Sequence, residues 1–367
     1  MFLKDLSLLN FKNHEESNLF FSDKINCFHG KNGSGKTNIL DAIHYLSFTK
    51  SYFLNQDTLN IKHDESFFSI RGKFFKNEKN EIVHCSIKNP GKKIFKINNR
   101  QYNRFSDHIG LFPLVLISPT DVNLIIDGSD VRRKYIDSVI SQFNPQYLEH
   151  LIKYNRIIKQ RNVKLKQLSI DSYFDETLDL YDEQLAPIVS LIFNSRKSLL
   201  EKLLPIVNLY YDKISDNSEK INIKYNSQMH KDNYLSLSKK NRKKDLLIKH
   251  SSIGIHKDDF IYELNGHSIK KIGSQGQQKT FLMALKLAQF DFIKKTLGFK
   301  PLLLLDDVFD KLDEIRVQEL MRLVDDSKFG QIFITDTNIE RSVNIFKNIN
   351  AKYKLFYVDN GTVKETE

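Results

Sequence analysis

Over the first third of the chain, apolar positions fall in short runs separated by polar turns. This texture predicts strands at Phe2 to Leu9, Asn18 to Phe21, Lys24 to Phe28, Phe67 to Phe75, Glu81 to Ile87, Lys93 to Ile97 and Leu114 to Ser118. One helix interrupts them, starting at residue 36. From Gly128 to Tyr211 the period lengthens to that of a helix: Leu151, Tyr154, Ile158, Leu165 and Leu168 fall roughly on one face, and Leu178, Leu185, Val189 and Ile192 continue it. Pro145, Pro187 and Pro205 punctuate this stretch, which predicts several helices in place of one rod. Ser215 to His250 is polar, and its charge run Lys239 to Lys244 reads as a solvated loop or turn. Beyond Ser251 the elements alternate, with helices at Gln275 to Thr296 and Asp313 to Val324 and strands at Leu302 to Leu305 and Gln331 to Thr335. The whole is an α/β pattern in which residues 1–125 and 251–367 form one body and residues 126–250 are a helical insertion.

Composition narrows the class. The chain has 367 residues, 40% of them hydrophobic, with 56 Lys and Arg against 45 Asp and Glu, a formal charge of +11. That is a globular composition, long enough for two compact bodies or one large domain with an insertion. Cys27 and Cys85 are the two cysteines, and neither sits in a CxxC or His-paired spacing, which excludes a disulfide-stapled fold and fits a reducing compartment. Lys4 and Asp5 interrupt the apolar N-terminus, arguing against a signal peptide. The longest apolar runs, Pro301 to Leu305 and Leu111 to Ile117, fall far short of the ~20 residues of a membrane span, so the expected location is the cytoplasm. The positive charge suits a nucleic-acid partner, but a chain this rich in Lys, Asn, Ile and Phe acquires the same bias from AT-rich coding.

The chemistry concentrates in three places. Lys24 to Phe28 runs into Gly30-Lys31-Asn32-Gly33-Ser34-Gly35-Lys36-Thr37 and then into the helical Asn38 to Ile43, which is GxxxxGKT in its required context of strand, loop and helix. Such a loop lets backbone N–H groups curl around phosphate oxygens, with Lys36 reaching the β- and γ-phosphates and Thr37 offering a hydroxyl to Mg²⁺. Leu302 to Leu305 is an apolar strand ending in Asp306 and Asp307. Asp306 would hold the Mg²⁺ shell, and Asp307 would orient or deprotonate the attacking water. Ile272-Gly273-Ser274-Gln275-Gly276-Gln277-Gln278-Lys279 opens an amphipathic helix. There Ser274 either caps its own helix or helps form a second phosphate-binding helix end that contacts another subunit's nucleotide.

Together these motifs resemble an ABC-type P-loop ATPase head of the SMC class, and within it the RecF family of bacterial recombination mediators. The resemblance also rests on Leu9-Asn10-Phe11-Lys12-Asn13, on Pro119-Thr120-Asp121 running to Gly128-Ser129, and on Arg132-Arg133-Lys134-Tyr135-Ile136-Asp137. Gln160-Arg161-Asn162 and Gly254 to Asp259 complete it, so it covers nearly the whole chain. The family usually has Glu where Thr120 stands, Pro where Asp130 stands, Pro-His-Arg for Ile255-His256-Lys257, and Ser-Glu where Asp310-Lys311 precede Leu312-Asp313. No glutamine is assigned to the γ-phosphate-sensing loop, and the usual switch histidine is replaced within Thr335-Asp336-Thr337.

The resemblance implies an ATP-dependent DNA-binding protein of recombinational repair and replication-fork maintenance. It would close as an ATP-bound homodimer on double-stranded or gapped DNA, help load the recombinase alongside other mediator proteins, hydrolyse ATP slowly and take part in the SOS response. It further implies nucleotide contacts from Lys12, Asn13, Gly30 to Thr37 and Ser274 to Gln277, with ATP and Mg²⁺ as cofactors. The rivals are an ABC transporter ATPase subunit, in which the helical insertion and basic stretches would have no role, and a non-hydrolysing ATP-binding scaffold. Positive charge is concentrated at Lys88 to Arg104, Lys153 to Lys166 and Lys239 to Lys249. In the second stretch Lys153, Arg156, Lys159 and Arg161 are the candidate contacts to single- or double-stranded DNA, mostly to its backbone. His256, Asp258 and Asp259 have no further metal ligands nearby in sequence and are assigned a structural or subunit-contact role.

Overall fold

The computed structural model describes residues 1–89, 91–215, 219–308, 329–348 and 351–366. The expected helix Asp313 to Val324 and the loop Asp310 to Asp313 lie outside the described residues. Contact density divides the chain into two units: Met1–Asp121, Tyr210–Asp216 and Lys279–Glu367 form the first, and Val122–Leu209 and Asn217–Gln278 the second. Residues 251–278, grouped by the sequence pattern with the sheet-bearing body, thus cluster with the helices.

The first unit contains β1 (Phe2–Phe11), β2 (His14–Phe20), β3 (Ile25–His29), α1 (Lys36–Phe48), β4 (Phe67–Lys76), β5 (Lys79–Lys88), β6 (Lys92–Ile97), β7 (Arg100–Gln101) and β8 (Leu114–Ile117). The second contains α2 (Asn123–Ile126), α3 (Ser129–Ser141), α4 (Pro145–Gln167), β9 (Ile221–Asn226), α6 (Tyr234–Ile248), β10 (Asp259–Leu264), β11 (His267–Ser268) and α7 (Ile269–Ile272). The unit boundaries fall within α5 (Glu176–Ile214) and near the start of α8 (Gln275–Leu297). The first unit is completed by β12 (Leu302–Leu305), β13 (Ile332–Asp336), a helix at Ile339–Asn348, β14 (Tyr353–Asp359) and β15 (Thr362–Thr366).

Two sheets build the first unit. The antiparallel one runs β2-β1-β4-β5-β6-β7, and the other runs β15-β14-β3-β13-β12-β8. In the second sheet β14, β3, β13, β12 and β8 are parallel, so their carboxyl ends open on one side, where α/β sheets place ligands. Leu302 to Leu305 are wholly buried, as a central parallel strand requires. Phe21, Phe28, Phe333 and Phe356 pack ring against ring across neighbouring strands, with centroids 4.9 to 6.4 Å apart. Buried Gln331 accepts from Leu3 N (2.7 Å) and donates to Leu3 O (2.7 Å) and Ser22 O (2.8 Å), tying the start of β1 to the entry of β13.

The helical stretch departs from expectation in two ways. Pro145 does open α4, at the first helical position behind the Asn144 cap, which accepts from Tyr147 N at 3.0 Å. Pro187 and Pro205, however, lie inside the single 39-residue α5. Both are exposed, and so are Glu183 and Glu201 one turn earlier, whose carbonyls lose their helical donors and can turn to water. The charge run Lys239 to Lys244 is not a loop but the middle of α6, capped by Asn233, which accepts from Ser236 N at 2.9 Å. Its buried side carries Ser238, Arg242 and Asp245 with Leu246, so hydrophobic periodicity could not reveal it.

The second unit is organised around buried cations. Arg161 is fully buried, and its guanidinium bonds Asp182 (2.8 Å), Asp245 (2.8 Å), Ser251 (2.7 Å) and Ser238 (3.1 Å). It is therefore withdrawn as a DNA contact: all of its donating edges are spent inside the unit. Lys153, Arg156 and Lys159 are exposed on the opposite face of α4, while Tyr154, Ile157, Ile158 and Leu165 are buried. Arg196 forms a second centre, with Asp137 (2.9 Å) and Asp258 (2.8 Å), and Asp258 also accepts from Tyr225 at 2.5 Å. His256 meets the Tyr154 hydroxyl and Asp259 pairs with Arg132, so this segment makes structural contacts within the unit. Cys27 and Cys85 are buried and free. Among the described residues no helix is long and apolar enough to cross a membrane.

Arg161→Ala would leave Asp182 and Asp245 short of a buried partner and should cost about 3–5 kcal/mol in denaturant unfolding. Lys153→Ala should show no comparable loss, and equal small effects would contradict the assignment of Arg161 to the core.

Candidate nucleotide site

The phosphate loop is set by backbone geometry. After β3 the chain turns through Gly30 (φ 152°), Gly33 (φ 79°) and Gly35 (φ 114°). A Cβ at Gly30 would stand 2.2 Å from Val358 O, and one at Gly35 would stand 2.6 Å from the Asn13 amide, so close approach and positive φ both demand glycine there. α1 starts at Lys36 with no side-chain cap, leaving first-turn amides for an anion. Lys36 is buried, and its ammonium bridges the loop by donating to Gly30 O (2.8 Å) and Lys31 O (2.9 Å). An ammonium has three protons, so one remains for a phosphate oxygen. Ser34 Oγ is buried with no partner among the described residues, as suits a loop shaped to take a phosphate oxygen. Lys31, Asn32 and Gly33 are exposed.

At the carboxyl end of β12, Asp306 Oδ1 accepts from Thr37 Oγ1 (2.8 Å) and from Thr335 Oγ1 (3.0 Å). Burial, the larger effect, pushes the Asp306 carboxyl up to about 6, against the lowering pull of the Thr37 and Thr335 hydroxyls. Asp307 follows in the left-handed region (φ 46°), its N–H donating to Thr335 Oγ1 at 2.8 Å. Thr335 thus ties both acids to β13 and belongs to the site. Asp336, beside it, is buried against Arg341 and Ser342. The Thr37 and Asp306 oxygens are hard donors, and their 2.8 Å separation is close to the ~3 Å edge of an octahedron with Mg–O near 2.1 Å. The residues present fit Mg²⁺ shared with a phosphate. Among the described residues no group of three or more His, Cys, Asp or Glu forms an all-protein metal cage.

Asn13 and His14 brace the loop from behind. The Asn13 amide donates to Ser34 O (3.0 Å), and its carbonyl accepts from Asn38 (2.7 Å). The buried His14 ring lies between Gly361 O (2.7 Å) and Gly35 O (3.1 Å). Lys12 sets its ammonium on Asp41 of α1 at 2.5 Å, and Asp41 also accepts from Ser51 Oγ (2.6 Å) and Tyr52 N (2.7 Å). From there Tyr52 OH donates to Asp121 (2.6 Å), which pairs with buried Lys286 (2.7 Å). Sequence reasoning missed His14, Asp41 and Lys286 as site residues, and it named Thr335 only within the stretch that replaces the switch histidine. His14 carried a signal in standing next to Lys12-Asn13.

In the second unit, the Ser274 segment forms a reciprocal capping box: Ser274 Oγ accepts from Gln277 N (3.2 Å) while Gln277 Oε1 accepts from Ser274 N (2.7 Å). Ser274 and Gln275 are exposed. Because Ser274 Oγ acts as acceptor in the cap, its hydroxyl proton stays available to a ligand.

A parallel sheet with a phosphate loop at its carboxyl edge, flanked by an antiparallel sheet, is the ATPase-head fold of SMC-type proteins. An SMC head domain from Pyrococcus furiosus shares that fold, with a TM-score of 0.59 over the whole chain at 16% identity. The chain belongs to the RecF family: the family model described as RecF/RecN/SMC N terminal domain matches residues 2–364. It is 49% identical to the DNA replication and repair protein RecF of Flavobacterium johnsoniae over 357 residues, 97% of this chain and 99% of that one. It is 48% identical to the protein of that name from Phocaeicola vulgatus, covering 100% and 98%. A solved structure described as the recombination mediator protein RecF-ATP in the RecFOR pathway superimposes with a TM-score of 0.89 at 29% identity, covering 100% of this chain and 98% of that one. Full-length agreement with these proteins does not favour the transporter reading.

Because the Asp306 pKa is raised on folding, its contribution to stability is present below about pH 4 and is lost as pH rises through about 6. Without nucleotide or Mg²⁺, Asp306→Asn should therefore stabilise the chain at pH 8 by up to about 3 kcal/mol and have little effect at pH 4. Thermal unfolding at the two pH values checks this, and a pH-independent difference would contradict it.

Proposed function

We propose that the chain is a cytoplasmic ATP- and DNA-binding protein of replication and recombinational repair, with a part in the SOS response, whose first unit is the ATPase head and whose second is the inserted arm. The observation that carries this reading is the Thr37–Asp306–Thr335 cluster standing at the phosphate loop. The loop amides and Lys36 take the β- and γ-phosphates of ATP. Thr37 and Asp306 hold Mg²⁺, which neutralises phosphate charge when bound. Asp307, at the lip of the same strand, orients the attacking water and accepts its proton, giving slow hydrolysis that serves as a switch. Lys12, held on Asp41, and Asn13, held on Ser34 and Asn38, serve the nucleotide indirectly by bracing α1 and the loop.

The Ser274 to Gln277 helix start of a second copy covers the nucleotide, so ATP closes a homodimer on double-stranded or gapped DNA, together with other mediator proteins that help load the recombinase. The named relatives and the ATP-bound solved structure support the ATP and mediator parts of this reading, and the Ser274 hydroxyl proton, left over by the cap, supports the two-chain site. Lys36→Ala and Ser274→Arg should each be inactive alone, since a homodimer of either breaks both sites. A mixed dimer retains one sound phosphate loop facing one sound Ser274 segment. With equal random mixing and independent sites, about half the dimers are mixed and each has one of two sites, so ATPase activity should recover to roughly a quarter of wild type. No recovery despite demonstrated mixed dimers would refute the two-chain site, and turnover itself separates this reading from a non-hydrolysing scaffold.

On the DNA side, Lys153, Arg156 and Lys159 contact the backbone from the exposed face of α4. Their joint replacement by Ala should weaken binding about equally for all sequences and lower the salt slope by about 3. A base-specific loss, or an unchanged slope, would count against that face.

A further inference from the structure

The antiparallel sheet turns Phe68, Ile70, Val83 and Cys85 into the core and leaves its other face open. Across that face runs a groove of about 560 Å³, floored by Ser69, Ser86 and His84 and walled by Leu9, Phe67 and Ile94. Its origin lies in the register. Leu9 pairs with Ser69, Ser69 with Ser86 and Ser86 with Ile94, so small residues on the two central strands lie between larger ones on the outer strands. The trough therefore lies along β4 and β5 between these walls, with Lys88 and Lys92 to one side of this rung and Arg71 and His84 to the other. A shallower hollow continues it past Arg71 to Asn18 and Glu16. Leu9 and Phe67 remain 37% and 36% exposed at its rim.

The charges are arranged along the groove. At one end Lys88 and Lys92 face each other directly across β5 and β6, a like-charge pair that costs stability, and neither has a carboxylate partner among the described residues. Lys96 stands opposite His84 on the same face. At the other end stands the Glu16 carboxylate, and Arg71 faces Asp5 at 3.7 Å.

We propose that this groove binds an extended peptide segment of a partner protein, acidic where it meets Lys88 and Lys92 and carrying a leucine- or phenylalanine-sized side chain that fills the trough. A nucleic-acid strand fits less well. Its charge is uniform, whereas the groove changes sign towards Glu16, and its bases need flat rings to stack on, whereas the walls are mainly aliphatic. An acidic, apolar and then neutral or basic segment matches all three parts, and its carboxylates relieve the lysine pair.

The test uses the full chain and a panel of fluorescein-labelled heptapeptides, Glu-Asp-Asp-X-X-Gly-Lys, with X drawn from Leu, Ile, Met and Phe. Fluorescence polarisation should show binding by at least one member, weakened at least tenfold when both X are Ser. Lys88→Glu with Lys92→Glu should weaken it at least tenfold, and a Lys-Lys-Lys-X-X-Gly-Glu peptide should recover that loss. Ser86→Trp, which fills the floor from the solvent side, should abolish binding while circular dichroism melts stay at the wild-type value. A 15-nucleotide thymidine strand should not compete. The inference is overturned if no panel member binds more tightly than its Ser control. It is overturned equally if the thymidine strand displaces the peptide and loses affinity in the same variants, which would make the face a nucleic-acid surface.

Discussion

A carboxylate that burial makes reluctant to ionise, held between two hydroxyls at the mouth of a parallel sheet, is the constraint on which the first unit depends. Asp306 can meet Thr37 and Thr335 together only if β12 and β13 are in register and α1 begins beside them. The fully apolar Leu302 to Leu305 fixes the first condition, since a strand buried on both faces cannot slide without exposing apolar surface or burying its acids more deeply. The stacked phenylalanines of β3, β13 and β14 fix the second by holding the strand that launches the phosphate loop. An ionised, uncompensated acid at this point is costly to the fold, and a bound cation would remove that cost. Stability given up in the empty protein is thereby linked to affinity for a positively charged ligand.

Polar anchoring carries the constraint outward. Asn13 and His14 hold the loop at Ser34 and Gly35, and the polar run from Lys12 through Asp41, Tyr52 and Asp121 reaches Lys286 on α8. The second unit relies on the same device, with Arg161 and Arg196 each binding acids from several elements. Such centres cannot be half broken, because removing one partner strands a charge in the interior. They fix geometry where apolar side chains alone would tolerate several packings.

Much of the head was legible in the amino-acid order. The glycine spacing of the phosphate loop, its flanking strand and helix, and the Leu302 to Asp307 run all follow from local rules. What stayed hidden depends on partners distant in sequence. Arg161 looks like its lysine neighbours on α4 and differs from them only because Asp182 and Asp245 fold over it. The run at 239–244 read as a loop because the side of α6 that is buried is itself polar. Pro187 and Pro205 argued for breaks, but solvent on their side of α5 satisfies the carbonyls they free. The β14–β15 hairpin did leave a signal in Asn360-Gly361, whose positive φ values of 46° and 82° are those of a tight turn. Thr335 stood out only within the stretch that replaces the switch histidine, since its bond to Asp306 depends on β13 lying beside β12.

The most direct test of the account is the Mg²⁺ dependence of ATP affinity, measured by calorimetry at pH 7.5 and pH 5.0 on the wild-type chain and on Asp306→Asn. The comparison between the two proteins cancels the titration of ATP itself. If Thr37 and Asp306 hold the ion, Mg²⁺ should tighten binding of the wild type at pH 7.5 and do so far less at pH 5.0, where a proton occupies a carboxyl whose pKa is about 6. Asp306→Asn should show the weaker dependence at both. An equal Mg²⁺ enhancement in the two proteins at pH 7.5 would place the ion elsewhere and contradict the account.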